Sequence, residues 1–125
     1  MVGKRVLYVE DEKFFGDTVE RVLTSVGYEV KQAADGEIGL KLAREWHPDL
    51  ILLDLLLPKV EGLEVLRQLK TDLATERIPV IILSNLSTED DVAKATALGA
   101  KKFFVKAITL PATIVAEAKS ILDGT

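Results

Sequence analysis

The sequence contains no cysteine, which excludes a disulfide framework and a thiolate metal site. No apolar stretch approaches the roughly 20 residues that a membrane-spanning helix requires. The amino terminus turns acidic at Glu10 and therefore does not resemble a signal peptide. A formal net charge of −4 argues against a general nucleic-acid surface. These absences favour one cytoplasmic domain that covers residues 1–125 and binds neither membrane nor nucleic acid directly.

The chain is organised around the stretch DLILLDLLLP, residues 49–58, in which seven of ten residues are Leu or Ile. A short apolar run bounded by prolines is typical of a parallel strand that is buried on both faces. Asp54 lies within this run. Burying an unpaired carboxylate is costly, so Asp54 must reach a partner or the end of the strand. Two interpretations remain open here: a functional site, or a loop aspartate that caps the next helix.

Five apolar or β-branched runs alternate with five amphipathic segments. The predicted strands cover residues 5–9, 28–33, 49–58, 78–83 and 102–105, and the helices begin near Phe14, Asp35, Gly62, Ser87 or Thr88, and Thr109. Their apolar faces are expected to include Val26, Ile38, Leu73 and Leu110. This alternation predicts an α/β domain with a doubly wound, five-stranded parallel sheet of order 2-1-3-4-5, a flavodoxin-like (βα)5 fold.

Ligands of such sheets bind beyond the carboxyl ends of the strands, near the switch in strand order. The polar residues that follow or end the predicted strands are Glu10, Asp11, Asp54, Ser84 and Lys106. The first and third strands are neighbours in this order, so the three carboxylates converge and repel one another. A divalent cation with a preference for hard oxygen ligands, Mg²⁺ or Mn²⁺, would relieve that repulsion.

The remaining two side chains, an ammonium on Lys106 and a hydroxyl on Ser84, are donors for an anion. With Asp54 as nucleophile, they are the groups that phosphoryl transfer to a carboxylate requires. Each residue also has a plainer interpretation, because a strand-end lysine is often a solvated flank and a serine is often a turn residue. Agreement at four strand ends favours phosphoryl transfer.

Four motifs carry a resemblance to a known family: VLYVEDE (6–12), LLDLLLPKVEGLEVL (52–66), IILS (81–84) and FFVKA (103–107). Together they resemble the receiver domain of the two-component response regulators, and the likeness covers essentially the whole chain. It implies a signalling phosphoacceptor that catalyses only its own phosphorylation and dephosphorylation.

The resemblance also implies residue roles. Asp54 would be phosphorylated, and Lys106 would bind the phosphoryl group. Asp11 would bind Mg²⁺ directly, Glu10 would bind it directly or through water, and Leu56 would bind it through its backbone carbonyl. Ser84 and Phe103 would be the switch residues. The implied donor is a sensor histidine kinase or a phosphotransfer protein. The implied output surface is the fourth helix, fifth strand and fifth helix, which would contact an output domain, a partner protein or a second copy. The alanines of the fourth helix suit either such a contact or simple packing against the sheet.

Some residues depart from the pattern of the family. Glu10 replaces the commoner Asp, and Asn85 replaces a small Ala or Gly and could narrow access for the donor. Ala107 stands where a proline is usual. Because a cis non-proline peptide costs about 3 kcal/mol, we expect a trans Lys106–Ala107 bond with Lys106 displaced. Leu56 cannot orient an attacking water, which predicts a long-lived phosphoryl group.

Three other functions are known for proteins with this kind of fold or site, and the sequence fits each of them less well. A flavodoxin-like cofactor binder would need a phosphate-binding loop after the first strand, where the acidic residues 10–12 would repel a phosphate. A degenerate receiver that serves only as an interaction module stays possible because of Asn85 and Ala107. A phosphatase with an aspartate nucleophile would usually have a second aspartate at position 56, which is leucine.

Overall fold

Five strands alternate with five α-helices in the computed structural model, which describes residues 3–124. In chain order they are β1 Arg5–Val9, α1 Lys13–Ser25, β2 Glu29–Ala33, α2 Gly36–Trp46, β3 Leu50–Leu53, α3 Gly62–Thr71, β4 Val80–Ser84, α4 Glu89–Ala97, β5 Lys102–Val105 and α5 Pro111–Asp123. A short 3-10 helix, Lys106–Ile108, precedes α5. The strands are all parallel and lie in the order β2-β1-β3-β4-β5, which confirms the predicted fold.

Two apolar cores lie on opposite faces of the sheet, because successive side chains of a strand point to opposite sides. On one face Leu7, Ile51 and Ile82 pack with residues of α2, α3 and α4. On the other face Val6 and Tyr8 belong to the core with residues of α1 and α5. The helices therefore cover both faces and leave the carboxyl ends of the strands as one open edge.

Helix α4 buries fewer of its residues than the other α-helices do. Its amino terminus is closed by a capping box, in which the Thr88 side chain accepts from Asp91 N–H and Asp91 accepts from Thr88 N–H. Thr88, and not Ser87, is thus the cap. Only Ala95 is buried among its residues Glu89–Ala97, whereas Ala93 and Ala97 are exposed. Ala95 therefore packs against the core, whereas Ala93 and Ala97 belong to the exposed outer side of the helix.

Several predicted boundaries and faces were wrong. β3 ends at Leu53 and not at Pro58, because the chain leaves the sheet at Asp54 and Leu55 is buried against Gly62 instead. Four predicted apolar-face residues are exposed: Val26, Ile38, Leu73 and Leu110. Val26 and Leu110 are caps, Leu73 lies beyond the end of α3, and Ile38 lies in the first turn of α2, whose sheet-facing residues include Leu40 and Ala43.

No helix within residues 3–124 has both the length and the apolar character needed to cross a membrane.

Candidate functional site

Four side chains from four different strands meet at the open edge of the sheet. Glu10 follows β1, Asp54 follows β3, Ser84 is the last residue of β4, and Lys106 follows β5. All four are buried. The strands bring them together because β1, β3, β4 and β5 are adjacent and parallel, so their carboxyl ends share one edge.

Asp54 is held on both carboxylate oxygens. The Ser84 hydroxyl donates to Oδ1 at 2.6 Å, and the backbone N–H of Leu56 donates to the same oxygen at 3.0 Å. The Lys106 ammonium donates to Oδ2 at 2.7 Å. Asp54 therefore meets the condition for a buried carboxylate: each oxygen has a hydrogen-bond donor and a cation is in contact. The alternative interpretation, a cap on the next helix, is not what the structure shows, because α3 begins at Gly62 with Glu61 as its N-cap residue.

Lys106 contacts three carboxylates at once. Besides Asp54, its ammonium forms ion pairs with Glu10 and, at 3.1 Å, with Glu12, and it lies 5.2 Å from the centre of the Phe15 ring. Burial alone would lower the pKa of Lys106, but the hydrogen bonds to the three carboxylates raise it above its ordinary value. The lysine is therefore a permanent positive charge at physiological pH.

Glu10 is anchored from two further directions. The Tyr8 hydroxyl donates to its Oε2 at 3.1 Å, and the backbone N–H of Glu12 donates to its Oε1 at 3.0 Å. Burial raises the pKa of the Glu10 carboxyl, and the negative charge of Asp54 acts in the same direction, although the bonds from Lys106 and Glu12 oppose it. Burial and the neighbouring Glu10 charge likewise raise the pKa of Tyr8, so its hydroxyl remains a donor.

Three carboxylates form the candidate metal centre. One oxygen from each of Glu10, Glu12 and Asp54 lies within 4.8 Å of the others. A set of carboxylate oxygens around one point suits a hard divalent cation such as Mg²⁺ or Mn²⁺, and not a soft or thiophilic metal. The donor set thus fits the predicted ion.

The membership of this cluster differs from the sequence prediction. Glu12 takes part, whereas the exposed Asp11 does not belong to the cluster within the described residues, although it lines the same cleft. Leu56 lies beside Asp54 through its backbone N–H. Tyr8 and Glu12 were not among the predicted site residues. Glu12 belongs to the acidic run after β1, but the run alone does not show which of its side chains approach Glu10 and Asp54.

The cluster opens to solvent through a cleft of about 440 Å³. Its lining comprises Asp11, Glu12, Asp54, Leu56, Leu57, Pro58, Asn85 and Lys106.

The Lys106–Ala107 peptide is trans, as expected, and the Lys106 ammonium nonetheless reaches Asp54. Phe103, the predicted switch aromatic, is half-buried and packs against the core on the side of α2, α3 and α4.

The comparison with protein families gives an independent result: the response regulator receiver domain model matches residues 6–118. The chain belongs to this family. Receiver domains of two-component response regulators are phosphoacceptors in signalling, which agrees with the buried acid, hydroxyl and amine described above.

Curated relatives of this receiver domain fall into two groups by length. The DNA-binding dual master transcriptional regulator RpaA of Synechocystis sp. is 40% identical over 102 residues, which are 82% of this chain but 42% of RpaA. The polar-differentiation response regulator DivK of Brucella ovis is 39% identical over 112 residues, 86% of this chain and 88% of DivK. The receiver domain therefore spans less than half of the first relative and most of the second.

Solved structures show the same architecture. A CheY-like response regulator receiver domain protein from Methanospirillum hungatei JF-1 superposes with a TM-score of 0.91 at 26% identity, covering 98% of this chain and 95% of that one. The Mn²⁺-bound form of response regulator Rcp1 has a TM-score of 0.82 at 33% identity, covering 94% of this chain and 92% of that one.

Proposed function

We propose that this receiver domain accepts a phosphoryl group on Asp54 from a histidine kinase or a phosphotransfer protein. The observation that carries the proposal is the state of the Asp54 carboxylate, which is buried, lines an open cleft and is held between the Ser84 hydroxyl and the Lys106 ammonium. In the reaction, an Asp54 oxygen forms a bond to phosphorus while the bond from phosphorus to the donor nitrogen breaks. The electron pair of that bond leaves with the donor imidazole.

The side chains around Asp54 have complementary tasks in this reaction. Lys106 and Ser84 already donate to the two Asp54 oxygens, so they lie where they can donate to phosphoryl oxygens attached to that carboxylate. Their hydrogen bonds also hold the carboxylate in one orientation before the donor arrives. The domain thus supplies positioning and charge, and in this sense it catalyses its own phosphorylation and dephosphorylation.

Glu10, Glu12 and Asp54 would hold a divalent cation, Mg²⁺ in the first instance, and the family resemblance adds Asp11 and the Leu56 carbonyl. When bound, such a cation would supply positive charge that offsets the negative charge of the carboxylates and of the phosphoryl group. The response regulator Rcp1 has been solved in an Mn²⁺-bound form, which supports a divalent ion as the ligand of this chain as well. Lys106 now shares the same carboxylates, so its contacts with Glu10 and Glu12 must loosen when the ion binds.

The signal would leave through the loop that joins β4 to α4. The Ser84 hydroxyl accepts from the Leu86 N–H at 3.1 Å, so movement of Ser84 towards a phosphoryl group pulls on the start of this loop. Helix α4, which buries only Ala95, offers little resistance to such a shift. Phe103, half-buried in the same core, would follow as the second switch residue.

Partners are proposed from the exposed surface. Phe14, Ile108 and Leu110 are 88%, 83% and 70% exposed, and each lies within five residues after the end of β1 or β5. Large exposed apolar side chains around a polar site suit the docking of a protein phosphodonor. The open outer side of α4 suits an output domain, a partner protein or a second copy. We place this signalling in the cytoplasm, and relatives named as transcriptional regulators support an output in gene control.

The test is phosphorylation by a small donor. The protein is incubated with acetyl phosphate and Mg²⁺, and its intact mass is measured. We expect the mass of one added phosphoryl group, its loss in Asp54→Asn and its loss when a chelator removes Mg²⁺. Unchanged mass in the wild-type protein would favour the degenerate receiver, and phosphorylation that persists in Asp54→Asn would place the acceptor elsewhere.

A further inference from the structure

Asn85 and Ala107 each come directly after a residue that holds Asp54, and they are hydrogen-bonded to each other. Asn85 follows Ser84, and Ala107 follows Lys106. The Ala107 backbone N–H donates to Asn85 Oδ1 at 2.7 Å. We call this contact the latch. It joins the loop before α4 to the 3-10 helix after β5, and both Asn85 and Lys106 line the cleft.

The latch lies just beyond the point where the sheet stops joining these two segments. Ser84 and Val105 are the last pair in the register of β4 and β5. The next residues, Asn85 and Lys106, lie outside the two strands. The hydrogen bond from the Ala107 N–H to Asn85 Oδ1 therefore connects the two segments just beyond the last paired residues of the sheet, next to Lys106.

Both halves of the latch depend on the residue type. A proline at position 107 would have no N–H to donate, and an alanine or glycine at position 85 would have no side-chain acceptor. Because a backbone N–H can only donate, the Asn85 atom that faces it must be the carbonyl oxygen, which fixes the orientation of the amide. Asn85 is therefore tied to the backbone that carries Lys106.

We propose that Asn85 is a positioning residue that holds Lys106 at Asp54 through the Ala107 N–H. In this arrangement the two side chains that donate to Asp54, Ser84 and Lys106, are carried by segments that the latch links. Movement of the Ser84 loop is consequently passed to the Lys106 segment. The effect on phosphorylation rests on the proposed function of Asp54, whereas the latch itself is a property of the unphosphorylated protein.

The experiment compares four variants with the wild-type protein. Asn85→Leu keeps the size of the side chain and loses the acceptor, Asn85→Ala loses both, and Asn85→Asp keeps an acceptor. Ser87→Ala, at an exposed position in the same loop, is the matched control. Two measurements need no phosphorylation: hydrogen exchange of the Ala107 amide, and the rate at which an amine-reactive reagent labels Lys106. Lys70, whose ammonium is bonded to backbone carbonyls at the other end of β4, is the internal reference for labelling.

In Asn85→Leu and Asn85→Ala we expect the Ala107 amide to exchange about fivefold faster and Lys106 to be labelled faster by a similar factor, because a net hydrogen bond of about 1 kcal/mol corresponds to that ratio. Lys70 should not change, Ser87→Ala should behave like the wild type, and Asn85→Asp should restore the slow exchange. The initial rate of phosphorylation by acetyl phosphate should fall in both variants that lose the acceptor.

Three results would overturn the proposal. Ala107 exchange that does not depend on residue 85 would mean that the latch does not persist in solution. Lys106 labelling that is unchanged in both Asn85→Leu and Asn85→Ala would mean that the latch does not position the lysine. Faster phosphorylation of Asn85→Ala alone would mean that Asn85 acts through its bulk. A wild-type protein that is not phosphorylated would refute the proposed function, while exchange and labelling would still decide the latch.

Discussion

The Lys106 ammonium lies among the carboxylates of Glu10, Glu12 and Asp54 and balances part of their charge. One cation for three acids leaves a negative site with a preference for a second positive charge. This imbalance explains why one residue cluster can be stable without a metal and still bind one. It also couples the ionisation of Glu10, whose side chain is the most enclosed of the three, to the stability of the fold.

Glu10→Gln should change how stability varies with pH. The pKa of Glu10 is raised above its ordinary value of 4.5 in the folded protein. Above pH 4.5 the unfolded chain loses this proton before the folded protein does, so the contribution of Glu10 to the free energy of unfolding falls as pH rises. We expect Glu10→Gln to lose less stability than the wild type over this range.

The measurement is urea unfolding without divalent cations at intervals from pH 4.5 to neutrality. Glu45→Gln, at an exposed position on α2, serves as the control and should follow the wild type. Parallel curves for Glu10→Gln and the wild type would contradict the raised pKa.

Leu56→Asn should shorten the lifetime of the phosphoryl group. Leu56 is 53% exposed and lines the cleft next to Asp54, where its apolar side chain cannot orient a water molecule. An amide at this position can hold one, and a positioned polar group can accelerate hydrolysis by about tenfold or more. The lifetime of the phosphoryl group is measured by removing the donor and following the loss of phosphorylated protein by intact mass. Leu56→Met, which keeps an apolar side chain, should decay like the wild type, and equal lifetimes for all three proteins would refute the assigned role of Leu56.

A residue of the site could be predicted from the sequence when its place at the end of a strand is enough to fix its position. Asp54, Ser84, Glu10 and Lys106 converge because each ends or follows a parallel strand. Glu12 could not be chosen over Asp11, because the direction of consecutive side chains after β1 depends on the backbone turn into α1 and on the place of the Lys106 ammonium. The bond between Asn85 and Ala107 joins loops 22 residues apart, which no local pattern shows.

Among the secondary-structure elements, α3 begins in direct contact with the segment that carries Asp54. Gly62, its first residue, donates its N–H to the Leu55 carbonyl at 3.1 Å. A Cβ at this position would collide with the backbone of Asp54 and Leu55. The helix can therefore approach the end of β3 only with a glycine here, and this approach is what turns the chain out of the sheet after Leu53.

Gly62→Ala should destabilise the protein by about 2 kcal/mol, because the collision involves backbone atoms that cannot move aside cheaply. It should also weaken phosphorylation, since Asp54 must shift. Gly16→Ala is the matched control: it is a buried glycine within α1, but its added Cβ would meet only the flexible Gln32 side chain. Urea unfolding of both variants is the measurement. A Gly62→Ala variant as stable as Gly16→Ala would contradict the packing described for α3.

The ends of the helices were harder to predict from the sequence than the number and order of the strands. Parallel strands are buried on both faces and appear as continuous apolar runs, so their order and number were predicted correctly. An exposed Leu73 or Leu110 looks like a continuation of the apolar stripe of α3 or α5. Only the last residue of α3 and the first of α5, Thr71 and Pro111, show that both leucines lie outside.

For the molecule as a whole, the edge of the sheet with the candidate metal cluster is also where β1, β3 and β5 are joined to one another and to α1. Lys106 joins β5 to residues that follow β1 and β3, and it contacts Phe15 of α1. An ion bound to Glu10, Glu12 and Asp54 would join the same elements. Binding of the ion to the folded protein alone must then raise the stability of the entire domain by linkage.

We therefore expect Mg²⁺ to raise the free energy of unfolding at neutral pH, by about 2.7 kcal/mol when its free concentration is about 100 times its dissociation constant. Thermal unfolding at increasing Mg²⁺ concentration, with ionic strength held constant by monovalent salt, measures the effect. In Asp54→Asn the cluster loses one of its three carboxylates, so the Mg²⁺-dependent rise should be much smaller. Glu45→Gln, which removes an exposed charge of the same sign on α2, should keep the full rise. Equal stabilisation of the wild type and Asp54→Asn would mean that Mg²⁺ acts through general surface charge and not at this cluster.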